Sequence, residues 1–376
     1  MADALKARLD LFKYLGMDNT VSFTSFTLDG TTDACGAVFQ VEKAMVITQV
    51  GFRVNTITGV PGELTVSLQS LDASGYPSGT ILGGGSPASV AIASPSASFT
   101  AAEIYWATLS NTYSAVAGEM MAMVLDPTAG TWATGTEQLT ISVVVIGFGV
   151  QRPGTPYGVQ CPSGTWARVN GYPVYGITSG TDTQGLPLED LNANTIDSGT
   201  AINQYGFAFT LPAGWSSTFK LRGVIWALAK QQTATQTFDV VLYDSDGTTE
   251  LQVMNYNSEH HGTTATGATY RNCDLFFDET TLSTLTFGTK YYIFIRPLTT
   301  SGDLNFNDFG YRRAADLQAL PLGENCFLCS KATTATAPVE LTTRRPLVGL
   351  IFDDITEPTG GAGGMIVHPG MNGRMV

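Results

Sequence analysis

The sequence predicts an all-β protein built from two copies of one β-sandwich. Two observations indicate the class: only 14% of the 376 residues are charged, and 41 Gly and 17 Pro supply turns between short strands. A third observation indicates the duplication. Gly118–Pro127 has an echo in Gly288–Pro297, and each is a short, mostly apolar run that begins at Gly and ends at Pro.

Further matches flank this pair in the same order, which favours duplication over chance. They are Val38–Val41 with Ala208–Leu211, Val50–Val54 with Arg222–Trp226, Leu64–Leu68 with Phe238–Leu242, Phe148–Arg152 with Phe309–Arg313, Gly158–Cys161 with Gly323–Cys326, and Pro173–Ile177 with Pro346–Leu350. We therefore predict a first sandwich over residues 20–178 and a second over residues 201–356.

The segments outside the two sandwiches predict attachments. Residues 179–200 are polar and predict a linker with few contacts across it. Residues 1–19 predict a short amphipathic helix whose apolar stripe contains Leu5, Leu9 and Phe12. That stripe can pack on its own domain, dock on another subunit or lie on a membrane surface.

Residues 357–376 predict an extended docking tail. Gly360–Gly364 gives the backbone great freedom, and an apolar, Met-rich peptide follows it. Such a peptide cannot fold alone, so we expect Ile366, Val367 and Met371 to be held by a neighbouring subunit.

Composition excludes several classes of function. The net charge is −13, from 32 acidic and 19 basic residues, which argues against a nucleic-acid partner and against an anionic membrane. No apolar stretch is long enough to span a bilayer. The N-terminus lacks the pattern of a secretory signal, so we expect the protein to be made and kept in a cytoplasm until assembly or lysis.

The five cysteines predict buried thiols and no metal or redox site. An odd number argues against a complete disulfide framework. Cys161 and Cys326 fall at matching positions of the predicted repeat, as core residues would. Cys326 and Cys329 form a C-x-x-C, but no second pair or nearby His accompanies it.

The sequence shows no arrangement of catalytic residues. Its only imidazoles are those of His260, His261 and His368, and neighbouring side chains on an extended segment point apart. The same rule separates the pair Asp353–Asp354. Asp244–Gly247 predicts a hairpin turn in preference to a calcium loop, which would require a terminal Glu. We expect no enzyme activity, no cofactor and no metal.

Two tryptophans are candidates for contacts with a glycan. Trp132 and Trp166 lie among turn residues, where an exposed indole can stack on a sugar ring. Contacts with a partner subunit would use the same side chains.

The hairpin Asp72–Leu82 reads Asp-Ala-Ser-Gly-Tyr-Pro-Ser-Gly-Thr-Ile-Leu. It resembles a hairpin of jelly-roll modules in bacterial surface and phage proteins. The whole chain is similar in style to structural proteins of tailed bacteriophages. This resemblance implies jelly-roll-type sandwiches, a location in the virion, and partners that are other virion proteins and further copies of the chain. It implies no catalytic residue.

We therefore expect a capsid decoration protein or a tail or fibre component that assembles by docking of subunits. The alternative is a carbohydrate-binding adhesin that engages host surface glycans. A glycosidase is a third possibility, but it would require two carboxylates facing each other across a cleft.

Overall fold

The computed structural model describes thirteen stretches of the chain. They are residues 8–10, 21–146, 156–169, 171–196, 204–211, 213, 218–230, 237–257, 271–298, 304–313, 325–332, 336–346 and 348–355. The structural statements below concern these residues.

Strands dominate the first half of the chain. They are β1 (Arg8–Asp10), β2 (Val21–Leu28), β3 (Ala34–Gln40), β4 (Met45–Thr58), β5 (Glu63–Leu71), β6 (Pro77–Ile81), β7 (Ser89–Ile92), β8 (Ile104–Ala115), β9 (Met120–Ala129), β10 (Gln138–Ile146), β11 (Tyr157–Cys161), β12 (Ala167–Val169), β13 (Tyr172–Pro173), β14 (Tyr175–Thr178) and β15 (Thr183–Leu186). One helical turn, α1 (Pro95–Ser98), and one 3₁₀ turn (Pro162–Gly164) interrupt them.

The second half is built in the same way. Its strands are β16 (Asp190–Ile196), β17 (Gln204–Thr210), β18 (Thr218–Lys230), β19 (Thr237–Tyr243), β20 (Glu250–Asn257), β21 (Arg271–Phe276), β22 (Thr284–Thr286), β23 (Lys290–Pro297), β24 (Leu304–Gly310), β25 (Cys326–Lys331), β26 (Val339–Leu341), β27 (Arg344–Pro346) and β28 (Val348–Ile355). A 3₁₀ turn covers Glu279–Thr281, and Asp278 caps it by accepting from Thr280 N.

The predicted all-β sandwich class is confirmed. In the first half, one sheet runs β13-β10-β4-β14-β15 with β2 and β8 attached, and the other runs β12-β11-β3-β9-β5-β6 with β7 attached. In the second half, one sheet runs β1-β28-β18-β24-β16 with β21, β22 and β27 attached, and the other runs β20-β19-β23-β17-β25-β26. Every strand pairing is antiparallel, and each pair of sheets encloses a buried apolar core.

Strand order and register support the duplication. The sheet β12-β11-β3-β9-β5-β6 has the same order as β26-β25-β17-β23-β19-β20. Register agrees within it, since Phe39 faces Met121 and Phe209 faces Tyr291, so that both partners have moved by 170 positions (209 minus 39, 291 minus 121). The domain boundaries at residues 178 and 201 stay a prediction.

The register corrects part of the sequence alignment. Cys161 faces Ala34 in the first half, and the equivalent place opposite Gln204 belongs to Lys331. The predicted equivalence of Cys161 and Cys326 is therefore wrong, because the local similarity of the two Gly-x-x-Cys stretches is out of register. In the other sheet, Val50 is equivalent to Val224, since they face Ile177 and Leu350 respectively.

The predicted N-terminal helix is wrong where the structure describes it. Arg8–Asp10 form the strand β1, which pairs with β28 of the second sandwich. Leu9 faces Leu350 just as Gln184 of β15 faces Ile177 in the first sandwich. A three-residue strand obtains its hydrogen bonds from β28, so the partner and not the local amphipathic pattern decides its conformation. The rest of the predicted helix lies outside the described residues.

The predicted linker is also more ordered than its composition indicates. Within residues 179–200, β15 continues the first sandwich as a hairpin with β14, and β16 pairs along its length with β24 of the second. The chain therefore crosses between the sandwiches in the short stretch Pro187–Glu189. In the described parts of the chain no helix is long and apolar enough to cross a membrane.

Candidate functional site

Arg53 holds the two sandwiches together at the crossing. Its guanidinium is buried, donates through Nη1 to Ser142 Oγ at 2.6 Å, and donates through Nε to the carbonyl of Glu189. The amide of Glu189 in turn donates to the carbonyl of Gly310 in the second sandwich at 2.7 Å. Burial lowers the pKa of Arg53, and the carboxylates of Asp190 and Glu189 oppose that shift.

Two further arginines from the second sandwich reach the first. Arg312 Nη1 donates to the carbonyl of Ile104 at 2.6 Å, and the guanidinium of Arg313 lies 4.8 Å from the ring centre of Trp106. The indole fits because Gly51 and Gly176 lie beneath it, where any added Cβ would meet the ring at 3.0 and 2.6 Å. The joint between the sandwiches therefore combines polar contacts with close packing.

One buried apolar cluster draws on both halves of the chain. Its members from the first half are Ile104, Val144, Val174 and Leu188, and those from β18 of the second half include Ile225 and Ala227. The predicted scarcity of contacts across the boundary is therefore wrong. This cluster also explains why β10 is apolar on both faces, since one face packs in its own core and the other here.

In each sandwich a turn lies beside the outer face of the sheet whose strand order the two halves share. One side chain from that sheet hydrogen-bonds to the turn. In the first sandwich the turn follows β5, where Asp72 Oδ1 accepts from Ser74 N and Tyr76 N. Tyr157 OH donates to the carbonyl of Gly75 at 2.5 Å. The guanidinium of Arg168 lies 4.2 Å from the ring centre of Tyr157.

In the second sandwich a buried lysine holds the equivalent turn. Asp244–Gly247 form the predicted hairpin turn, which is confirmed by the bond from Gly247 N to Asp244 O at 2.8 Å. Lys331, only 1% exposed, donates through Nζ to the carbonyl of Gly247 at 2.6 Å. Its ammonium lies 3.9 Å from the ring centre of Tyr243. Burial lowers the pKa of Lys331 to about 8.

Charged groups surround this lysine on the outer face of the sheet. Arg296 donates to Asp239 at 2.7 Å and to Glu250 at 2.6 Å. On the other side Glu340 accepts from Tyr292 OH at 2.5 Å and from Lys290 Nζ at 2.9 Å. The contacts pair these charges within the sheet, which is typical of a structural network.

The edge strand β20 offers the clearest docking feature of the described chain. Leu298 N donates to Thr237 O, so the backbone groups of Thr237 point away from β20, and along β19 the direction alternates from residue to residue. In the register of β19 with β20, the backbone groups of Leu251, Val253 and Asn255 therefore point away from β19. Ser283 Oγ donates a hydrogen bond to the carbonyl of Leu251 at 3.2 Å. Among the described residues no strand pairs with this outer edge.

Apolar side chains are exposed at this same side of the sandwich. Val253 and Met254 of β20 are 44% and 37% exposed, and Phe276 of the neighbouring sheet is 40% exposed. Tyr256 OH bridges the two sheets by donating to the carbonyl of Phe276 at 2.5 Å. Exposed apolar residues beside open backbone groups favour the addition of a strand.

The equivalent edge of the first sandwich is interrupted. Two short strands share the position of β20, since β6 pairs with one end of β5 and β7 pairs with the other. Between them the chain turns at Gly83, and Asn111 Nδ2 donates to the carbonyl of Pro87 at 3.2 Å. A broken edge with prolines at its turns is a poor template for pairing.

The structure places the two predicted glycan contacts differently. Trp132 is only 9% exposed, packs in the first core and donates through Nε1 to Ala129 O at 3.2 Å, so its predicted exposure is wrong. Turn residues surround it in sequence, but its ring folds back over the core. Trp166 is half-buried against the same outer-face cluster on which Tyr76 and Tyr157 pack, and its contact with a glycan stays a prediction.

The predicted docking residues lie outside what the structure describes. For Leu5, Phe12, Ile366, Val367 and Met371 this holds for the whole residue, and for Leu9 it holds for the side chain. The three histidines also fall outside. In the described part of the chain no group of three His, Cys, Asp or Glu side chains is placed to hold a metal ion.

All five cysteines are buried free thiols, which confirms the prediction for Cys161 and Cys326. Burial raises the pKa of Cys326 and of Cys329, so the C-x-x-C disfavours the thiolate that redox chemistry would require.

Sequence reasoning missed Lys331 and the edge of β20. Lys331 is the last residue of a strand that is apolar from Cys326 to Cys329, and that position is a usable signal for a buried cation. For β20 the signal is a strand without Lys or Pro, in contrast to the equivalent stretch with Pro77 and Pro87.

Comparisons with known proteins are sparse. No protein-family model matches the chain, and no curated protein matches its sequence. The VP2 subviral particle of infectious bursal disease virus is similar at 12% identity and a TM-score of 0.15, covering 90% of this chain and 81% of that chain. The Gt strain of the same virus gives 12% identity and a TM-score of 0.11, covering 89% and 80%.

Proposed function

We propose that the protein is a structural or accessory component of a bacteriophage particle, on the capsid surface or in the tail, and that it assembles by docking of subunits. The observation that carries this proposal is the open edge of β20 with exposed Val253 and Met254 beside it. The joint around Arg53 supports it, because buried polar contacts at the crossing link the sandwich that carries the open edge to the other one. On this proposal the protein acts by binding and not by catalysis.

Mass spectrometry of purified virions from the source tests the proposal. The expected result is this chain in stoichiometric amounts beside other virion proteins. Its absence from particles while it is abundant in lysates would overturn the virion role.

Light scattering tests assembly separately. We expect a mass above the 39.9 kDa of one chain. A variant that ends before Gly360 tests the predicted tail contacts at Ile366, Val367 and Met371. Unchanged assembly of that variant would remove the tail from the docking surface.

A second candidate function is a carbohydrate-binding adhesin. It is favoured by the half-buried Trp166, which packs on the same outer-face cluster as Tyr76 and Tyr157, and by the guanidinium of Arg168 above the Tyr157 ring. Aromatic faces beside a guanidinium are suited to stacking and hydrogen bonding with a sugar. A glycan array tests it, with Trp166→Ala as the probe and Phe276→Ala as a matched loss of an exposed aromatic elsewhere. Equal glycan signals from both variants would reject this site.

A further inference from the structure

We propose that β20 pairs antiparallel with β20 of a second copy of this chain across a twofold axis at Met254, so that two six-stranded sheets become one. This inference rests on the proposed assembly by docking, and it names the surface and the partner. In this register Val253 of one copy faces Asn255 of the other, and Met254 faces itself.

The open backbone groups favour this register. Val253 and Asn255 direct their amide and carbonyl groups away from β19, and no described residue pairs with them. Hydrogen-bonded pairs of an antiparallel ladder join residues that both point at the partner. Placing Val253 opposite Asn255 satisfies the open groups at both positions on both copies, with about four backbone hydrogen bonds. Moving the axis to Val253 would place Asn255 opposite Leu251, whose carbonyl already accepts from Ser283.

The side chains are also self-complementary. Glu250 is the only charged residue of β20, it lies at the end of the strand, and Arg296 neutralises it at 2.6 Å. No like charges therefore face each other across the axis, which is the usual obstacle to pairing a strand with itself. Met254 meets Met254 in a non-hydrogen-bonded pair, where side chains lie closest.

Disulfide trapping tests the register. In Met254→Cys the Cα atoms of the two new cysteines lie about 4.5 Å apart in the proposed register, a distance that suits a disulfide. The chain's own five thiols are buried. The expected result under mild oxidation is a covalent dimer of twice the 39.9 kDa chain mass. Val253→Cys is the matched control, since it is similarly exposed but faces Asn255, and it should give little dimer. No dimer from Met254→Cys, or equal yields from both variants, would overturn the register.

Charge substitution tests the surface without a covalent bond. Met254→Lys should abolish the dimer in light scattering, and Met254→Asp should do the same. Mixing the two variants should restore a dimer by joining opposite charges. Val116→Lys, which places a lysine on an exposed turn of the first sandwich, should leave the dimer intact. Circular dichroism confirms that each variant is folded.

The outcomes separate this inference from the proposed function. An oligomer that persists in Met254→Lys shows that another surface assembles the protein, and the β20 proposal fails alone. A wild-type protein that is monomeric at every concentration refutes both the β20 pairing and assembly through copies of this chain. A dimer lost in Met254→Lys and restored on mixing supports the pairing whether or not virions contain the protein.

Discussion

The outer faces of the two equivalent sheets carry different side chains on the same backbone. In the first sandwich the central positions are Ala122 and Val124, and in the second the equivalent positions are Tyr292 and Phe294. Both faces bury these residues, but small side chains leave room for Tyr157 to reach its turn, whereas the aromatic face leaves that role to Lys331. Duplication therefore conserved the ladder and the core, while the outer face and the edge diverged.

The equivalence of the two cores gives the largest expected effect. Phe52 and Trp226 occupy the same position opposite Tyr175 and Val348, and both are fully buried. Phe52→Ala and Trp226→Ala should each lower the free energy of unfolding by about 3–5 kcal/mol through lost burial and a cavity. Urea unfolding followed by circular dichroism measures it. A loss below about 1 kcal/mol for one variant alone would show that the cores differ in packing.

An ion pair in the second sandwich gives the next effect. Arg296 faces Asp239 in the second sandwich. The equivalent position in the first sandwich is Asp126, which faces Thr65. Asp239→Asn removes a carboxylate whose side chain is 10% exposed, and the free energy of unfolding should fall by about 3 kcal/mol. The effect should not be larger, because Glu250 still accepts from the guanidinium of Arg296.

Asp126→Asn is the matched control in the first sandwich. Burial raises the pKa of Asp126, so a neutral amide suits that position and the stability at pH 7 should change by about 0.5 kcal/mol or less. Equal losses from both substitutions would contradict the divergence of the two outer faces.

These contrasts show what the sequence can reveal. Gly-to-Pro runs such as Gly118–Pro127 revealed the repeat because the turn before each strand needs a residue that tolerates positive φ, as Gly118 and Gly288 do. Register was harder, because strands buried on both faces are apolar at every position. Cys161 lies on an outer face and Cys326 in a core, yet alternation does not separate them.

The features that the sequence could not show depend on partners distant along the chain. The strand β1 exists because β28 hydrogen-bonds to it, more than 300 positions later by residue number. Likewise, the outer edge of β20 is unpaired among the described residues because no further strand of the sheet lies beside it. Local periodicity carries neither piece of information.

Lys331 gives the smallest effect and the most specific one. Lys331→Met removes the bond to Gly247 O while filling the space beside the Tyr243 ring, so the free energy of unfolding at pH 7 should fall by about 1 kcal/mol. Tyr157→Phe, which removes the equivalent bond to Gly75 O, should cost a similar amount. A clearly larger loss for either variant would show that its turn depends on more than this bond.

The pH dependence distinguishes the lysine from the tyrosine. Burial lowers the pKa of Lys331 from 10.5 to about 8, so between these values the unfolded chain holds a proton that the folded chain has released. Stability rises with pH wherever the unfolded state binds more protons. The wild type should therefore gain stability relative to Lys331→Met as the pH is raised from about 8 towards about 10.5. Urea unfolding of both proteins across this window measures the difference. A constant difference would mean that Lys331 keeps its ordinary pKa, and the outer face of the second sandwich would then be wetter than its aromatic residues indicate.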